Sequence, residues 1–261
     1  MNGHPTFKKL GIMTAMREEF AHLSRHLQGA SSYEIGPRTF HEGTIYDIPV
    51  VLVCARIGKV AAATTATTLI QRCGVDSILF TGVAGGIAAN VQVGDIIVAR
   101  HLVQHDFDIK GLLGCGRFTI PLLDMSHLPA CEKLLEVAID ASHSVRSDTE
   151  YREAIAALAT REPQAHCGTI ASGDIFVSSA EERTALRAGI PELLCAEMEG
   201  AAVAQVCIEH SIPYAVARVI SDSANGDAHV DFAAFVERAA AVASEKFVLH
   251  FLSRQAGQRA R

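Results

Sequence analysis

Charged residues close two of the apolar runs in this 261-residue chain, and their types and spacing are what could do chemistry. Glu197 and Glu199 flank Met198 where the run Leu193–Cys195 gives way to the mostly apolar stretch Ala201–Ile208. Side chains alternate along a strand, so the two glutamates would share one face with Met198 on the other, and a helix dipole favours carboxylates at its start. Arg218 and Asp222 close a second run, Tyr214–Ile220, with Ser221 between. Buried strand ends keep charge where it is paired or used. An ordinary acidic first turn at EMEG and a structural Arg218–glutamate pair are the plain alternatives. Together these groups permit hydrolysis of an N-glycosidic bond. One carboxylate polarises water, another donates a proton to the leaving base, and a negative charge beside the sugar favours an oxocarbenium-like transition state. Thr81–Gly86 (TGVAGG) adds glycines that let backbone approach a ligand, although it matches neither GxGxxG nor GxxxxGK[ST].

Strands and helices must bring these groups together. Val50–Cys54, Ser77–Thr81, Asp95–Val98, Gly168–Ala171 and Tyr214–Ile220 read as buried strands, rich in β-branched residues and mostly bounded by Gly, Ser or Asp. Met16–His26, Lys59–Arg72, Leu128–Ala141, Glu150–Leu158, Glu199–Glu209 and Phe232–Leu252 carry apolar residues at three and four spacing and read as helices. Alternation of this kind predicts an α/β single-domain three-layer sandwich over 1–261, a mixed central sheet covered by helices on both faces. Ligands of such sheets sit at the carboxyl ends of strands, where Met16–Glu19, Thr81–Gly86, Ala196–Gly200 and Arg218–Asp222 fall. Ile109–His127, with Gly111, Gly114, Gly116 and Pro121 and little periodicity, is expected to be a mobile lid.

Composition narrows the partners. With 49% apolar and 20% charged residues and a net charge of −6, the chain reads as a soluble globular protein without the positive field that gathers nucleic acid or anionic lipid. No apolar stretch approaches the length of a membrane span, and MNGHPTFKKL lacks the apolar core of an export signal, so a cytoplasmic location is expected. Seven scattered cysteines without a CxxC pair read as reduced thiols. His101 and His105, four apart in an extended or loop region with no carboxylate-supported third ligand, do not make a metal site.

In order along the chain, GIMTAMREEF, RIGKVAAATTATTLI, TGVAGGI with VGDIIVA, HDFD, SGDIFV, AEMEGAAVAQVC and ARVISDSA resemble the 5′-methylthioadenosine/S-adenosylhomocysteine nucleosidases of the purine nucleoside phosphorylase-like superfamily. The resemblance runs from about Leu10 to Leu252, and AMREE points to the hydrolytic branch. It implies a nucleoside phosphorylase-like fold, release of adenine, a place in methionine salvage, no metal or organic cofactor, and a homodimer whose site borrows lid residues from the partner. Residue by residue, it implies Glu19 as the base that activates water, Asp222 as the acid that protonates purine N7 with Ser221 orienting it, and Glu199 as the carboxylate gripping the ribose hydroxyls. Arg218 would stand near the carboxylates and the water. Met198 would pack beneath the sugar, Phe176 stack on the base, Val177 read the base edge through its backbone, and Phe232 close over the 5′ substituent. Ile57, Val83, Ala84, Gly85 and Glu197 complete the implied substrate contacts.

Three departures from the family pattern stand out. Val83 replaces the Ser of TGSAGG, removing a hydroxyl near the water and ribose. Arg56 replaces the Gly of SGIGKV, and could pair with a carboxylate, contact a partner subunit, or bring positive charge toward the acceptor side. The lid aligns poorly, leaving Leu112, Leu113, Phe118 and Pro121 as its candidate contacts. Arg56, with Arg17 and Arg218, keeps a phosphate-using purine nucleoside phosphorylase as the alternative. A non-catalytic nucleoside-binding module is a third reading, which the presence of both Glu19 and Asp222 disfavours.

Overall fold

The structure, a computed structural model, describes residues 7–112, 114–224, 226 and 228–259. Strands whose side chains are apolar on both faces dictate its plan. In β1 (Leu10–Thr14), β4 (Ile48–Cys54), β5 (Ser77–Gly86) and β10 (Tyr214–Asp222), alternate residues enter two separate cores. Leu10, Ile12, Val50, Leu52, Leu79, Ala217 and Val219 enter one; Met13, Val51, Val53, Ile78, Phe80, Val216 and Ile220 enter the other. Helices α1 (Arg17–Ser24), α3 (Glu132–Arg146), α4 (Thr149–Ile155) and α8 (Ala241–Arg259) cover the first face. The second is covered by α2 (Lys59–Gln71) and α6 (Gly200–Glu209). Both faces are therefore dry, as the sequence predicts.

The sheet also contains β2 (Gln28–Ile35), β3 (Arg38–Ile45), β6 (Ile96–Gln104), β7 (Leu128–Pro129), β8 (Ala165–Ser172) and β9 (Leu193–Glu197). Its order is β10-β6-β8-β9-β5-β1-β4-β3-β2, with β7 on β6, and β5 pairs with β10 as well. That extra pairing closes β5, β10, β6, β8 and β9 into a ring, so the sheet is partly barrel-like rather than a flat middle layer. Pairing is mixed: β1 runs parallel to β4 and β5, whereas β9 is antiparallel to β5 and β6 to β10.

Closure brings strand ends together. Gly85 lies beside Ala196 of β9 on one side and Asp222 of β10 on the other, with a bulge between Ile220 and Asp222 re-aiming the last carboxylate. A Cβ on Gly85 would stand 3.0 Å from Asp222 Oδ1, so glycine permits the approach.

Several boundaries differ from the sequence reading. Leu128 and Pro129 form β7 and the helix begins only at Glu132. The stretch from Phe232 belongs to α7 (Ala228–Phe235), which passes through a π-helical turn, Val236–Ala240, into α8. The β2–β3 hairpin and α5 (Ala180–Gly189) lie where neither strands nor a helix were expected. Within 109–127, Phe118 and Ile120 are buried while Leu112 and Leu122 are exposed, and Leu113 lies outside the described residues. No described helix is long and apolar enough to cross a membrane. The cysteines are free thiols, with Cys73, Cys195 and Cys207 buried.

Candidate active site

A cavity of about 240 Å³ opens at the converged strand ends. β5 contributes Val83, Ala84 and Gly85; β9 and the turn after it contribute Ala196, Glu197, Met198 and Glu199; β10 contributes Ser221 and Asp222. The loop after β8 supplies Ile175, Phe176 and Val177, the turn before α2 supplies Ile57, and α7 supplies His229 and Phe232. All the residues that the sequence reading assigned to substrate binding line this one cavity, together with Asp222 and Glu199. Glu19 and Arg218 do not line it: both stand one layer behind. A Cβ on Gly82 would lie 3.5 Å from Arg218 Nη1 and 3.6 Å from Glu19 Oε1, so the two groups meet behind the wall that Val83 presents.

Glu197 and Arg218 form a buried, saturated pair. Arg218 donates from Nη2 and Nε to Glu197 Oε2 at 2.5 and 3.1 Å, and its guanidinium lies 4.1 Å from the centroid of the Phe80 ring. Glu197 also accepts from the Ser172 hydroxyl and from the backbone N–H groups of Glu199 and Gly200, at 3.2 and 2.9 Å. A buried ion pair holds its place when its remaining lone pairs are satisfied in this way. Although Glu197 borders the cavity, these donors occupy its oxygens; in this geometry it anchors the turn more than it offers itself to a ligand.

Glu199 is different. It accepts one hydrogen bond, 2.8 Å from the Gly58 N–H, and faces the cavity from the start of α6. Burial, reinforced by the neighbouring Glu197 charge, raises its pKa. Asp222 lies across the cavity floor, its Oδ2 accepting from Ser221 Oγ at 2.8 Å and its Oδ1 from the Ala224 N–H at 2.9 Å. Those bonds favour the anion, but burial outweighs them and the carboxyl is raised above the usual range. A raised pKa keeps the proton on the carboxyl to higher pH than a free aspartate does, the direction that proton donation to a leaving group requires.

Glu19 has no exposed surface. It sits in the first turn of α1 and folds back so that its Oε2 accepts from the Met16 N–H at 3.2 Å. Its Oε1 has no hydrogen bond of good geometry among the described residues, and the Ser244 hydroxyl, close enough to lower its pKa, is unpartnered by the same standard. Burial pushes the carboxyl up to about 7 against the opposing field of Arg218. A carboxyl poised there alternates between acid and base at neutral pH.

Five lining residues, Ala15, Met16, Ile175, Ala196 and His229, were given no contact by the sequence reading. His229 stacks on Phe176 with ring centroids 4.4 Å apart, and Phe232 meets the same ring edge-on at 5.7 Å. The signal for His229 lies in its spacing: three residues before Phe232 on one helix, it must share that residue's face. Conversely, Leu112, Phe118 and Pro121 do not line the cavity. Phe118 packs into a small core with Ile87, Val103 and Val177, under the Arg117 guanidinium. Among the described residues Arg56 makes no salt bridge and donates instead to the Pro37 carbonyl at 2.9 Å. Among the described residues no three His, Cys, Asp or Glu side chains gather as metal ligands, and His101 meets His127 ring to ring rather than His105.

Comparison with known proteins identifies the family. The family model of the Phosphorylase superfamily matches residues 9–253. The 5′-methylthioadenosine/S-adenosylhomocysteine nucleosidase of Staphylococcus saprophyticus is 34% identical over 236 residues, covering 90% of this chain and 96% of the relative. A nucleosidase of the same name from Colwellia psychrerythraea, solved in complex with adenine, superposes with a TM-score of 0.82 at 34% identity, over 98% of this chain and 97% of that one. The futalosine hydrolase of Helicobacter pylori superposes with a TM-score of 0.81 at 31% identity, over 95% and 98%. This chain belongs to the Phosphorylase superfamily and, within it, to the family of the 5′-methylthioadenosine/S-adenosylhomocysteine nucleosidases.

Proposed function

We propose that the protein hydrolyses the N-glycosidic bond of adenine nucleosides carrying a 5′-thio substituent, releasing adenine. One observation carries the reading: three buried carboxyls with raised pKa values come together, Asp222 and Glu199 lining one cavity and Glu19 standing behind its wall. Asp222 gives its proton to N7 of the purine as the bond from sugar carbon to base nitrogen breaks, so adenine departs neutral. Glu199 grips the ribose hydroxyls and, when ionised, lies beside the positive charge that develops on the sugar. Glu19 takes a proton from the water that bonds to the sugar carbon. Phe176 stacks on the base, Val177 reads its edge, Ser221 orients Asp222, and Met198, Ile57, Val83, Ala84, Gly85 and Phe232 shape the walls. Arg218 and Glu197 hold the strand ends that carry these groups.

Phosphorolysis is the weaker reading, because no arginine or lysine is among the residues lining the cavity and Arg218 is committed to Glu197. On this reading the chain is one domain with 109–127 as its lid, works as a cytoplasmic homodimer without a cofactor, and serves methionine salvage. The test is incubation with 5′-methylthioadenosine in phosphate-free buffer. Adenine and the free thiosugar are expected; release that depends on added phosphate, with a sugar phosphate as product, overturns hydrolysis.

A further inference from the structure

A second recess, of about 760 Å³, shares the wall of the nucleoside cavity formed by Ala15, Met16 and Ile57. This wall lies at the sugar end: Ile57 precedes Gly58, whose N–H holds Glu199, whereas Asp222 and Phe176 belong to the base end in the proposed binding mode. Arg17, Arg38, Arg56 and His41 line the recess, with Glu18 as the only acidic residue among its lining. No salt bridge among the described residues engages any of the three arginines; their hydrogen bonds that are resolved go to backbone carbonyls. Arg38 donates to Ala55 and Ala61 and Arg56 to Pro37. Arg38 Nε is buried without a partner among the described residues. Burial and, behind it, the adjacent Arg56 charge pull Arg38 below its ordinary pKa.

Arg56 also occupies a backbone position that disfavours it. Its φ of +72° lies in the left-handed region, which costs a β-carbon residue on the order of 1 kcal/mol and which glycine adopts freely. Strain of this kind persists where surroundings or function hold it. An arginine placed there adds a guanidinium to a recess that already contains two.

We propose that this recess binds the terminal carboxylate of a 5′ arm on the nucleoside, so that the substrates taken best are adenine nucleosides whose 5′ substituent is long enough to leave the cavity past Ile57 and ends in an acid. The inference rests on the nucleosidase reading above. Guanidinium forks suit a carboxylate, and Glu18 in the lining repels a free dianion more than a tethered monoanion.

The test compares three substrates: 5′-methylthioadenosine, a 5′-(carboxyalkylthio) adenosine, and its carboxamide. Each is assayed on the wild-type chain and on Arg56→Gly, a substitution that suits the backbone. For the wild type, KM for the acid is expected to be about tenfold below that for the amide. In Arg56→Gly the gap is expected to shrink to about twofold while the methylthio substrate is unaffected, and Arg38→Gln should repeat the pattern. Equal KM for acid and amide on the wild type overturns the proposal. So does an Arg56→Gly effect of equal size on all three substrates, or phosphate-dependent turnover that Arg56→Gly abolishes. Calorimetric binding of the same compounds separates this inference from the function on which it rests. If none of them releases adenine but the acid still binds more tightly than the amide in an Arg56-dependent way, hydrolysis falls and the recess stands.

Discussion

A carboxyl with no exposed surface, such as Glu19, opposes folding to the extent that it serves catalysis. Its folded pKa of about 7 lies above the ordinary 4.5, so between those values the folded chain holds a proton that the unfolded chain has released. Stability from this group is therefore greatest at acid pH, falls as pH rises from about 4.5 to 7 by about 1.4 kcal/mol per pH unit, and stays reduced above. Glu19→Gln is expected to raise Tm at pH 8, leave it nearly unchanged at pH 4.5, and lower kcat by roughly a thousandfold. Thermal melts at the two pH values check the sign; an equal change in Tm at both contradicts it. Asp222 makes the opposite demand, needing its proton at the moment the base leaves. The rate should accordingly climb as pH rises toward about 7, where Glu19 ionises. Asp222→Ala should cost on the order of a thousandfold in kcat while leaving the climb toward about 7, which belongs to Glu19, in the pH–rate profile of the residual activity. Persistence of wild-type turnover in that variant excludes Asp222 as the acid.

At the scale of elements, the site depends on β5 lying between β9 and β10 with glycines where carboxylates crowd in. Gly85→Ala would put a methyl 3.0 Å from Asp222 Oδ1 and 3.3 Å from the Ala224 Cβ, displacing the acid without opening the core. The expected result is a kcat lowered about tenfold or more with Tm within a few degrees of wild type. Gly94→Ala provides the contrast. Its φ is +87° and the new methyl would meet Ile155 Cδ1 at 2.9 Å, neither residue lining the cavity, so stability should fall by about 1–3 kcal/mol in urea melts while kcat holds. The strands that matter here were legible because both their faces are buried: β5 and β10 read as apolar runs, with glycines standing out at the end of the first and charges at the end of the second. The β2–β3 hairpin was not legible because most of β2 is exposed and carries no apolar alternation. α5 buries none of its residues either, although the capping box from Ser179 to Glu182 announced its start. Long-range contacts account for the remainder. Nothing in the spacing says that Arg38, from that illegible hairpin, comes to stand beside Arg56, or that His229 turns onto Phe176.

For the molecule as a whole, protonation of Asp222 requires a site from which water is kept, yet apolar residues around the cavity mouth remain uncovered in a single chain. Ile57 and Ile175 line the cavity and are 63% and 48% exposed, while Val60, one turn along from Ile57, is 78% exposed and Val230, beside His229, is 71% exposed. Apolar side chains gathered at one mouth are costly to leave wet, and a second copy of the chain is the occupant proposed above. If that copy closes the mouth, association and catalysis are linked: a chain that cannot associate keeps an open site, where Asp222 is better hydrated and its pKa falls back toward the ordinary value. Val60→Asp places a charge in the proposed contact without touching a cavity residue. Sedimentation velocity is expected to show a dimer for the wild type at micromolar concentration and a single chain for the variant, whose kcat/KM should fall about tenfold or more. A wild type that sediments as one chain at concentrations where it is fully active would show that the site closes without a partner.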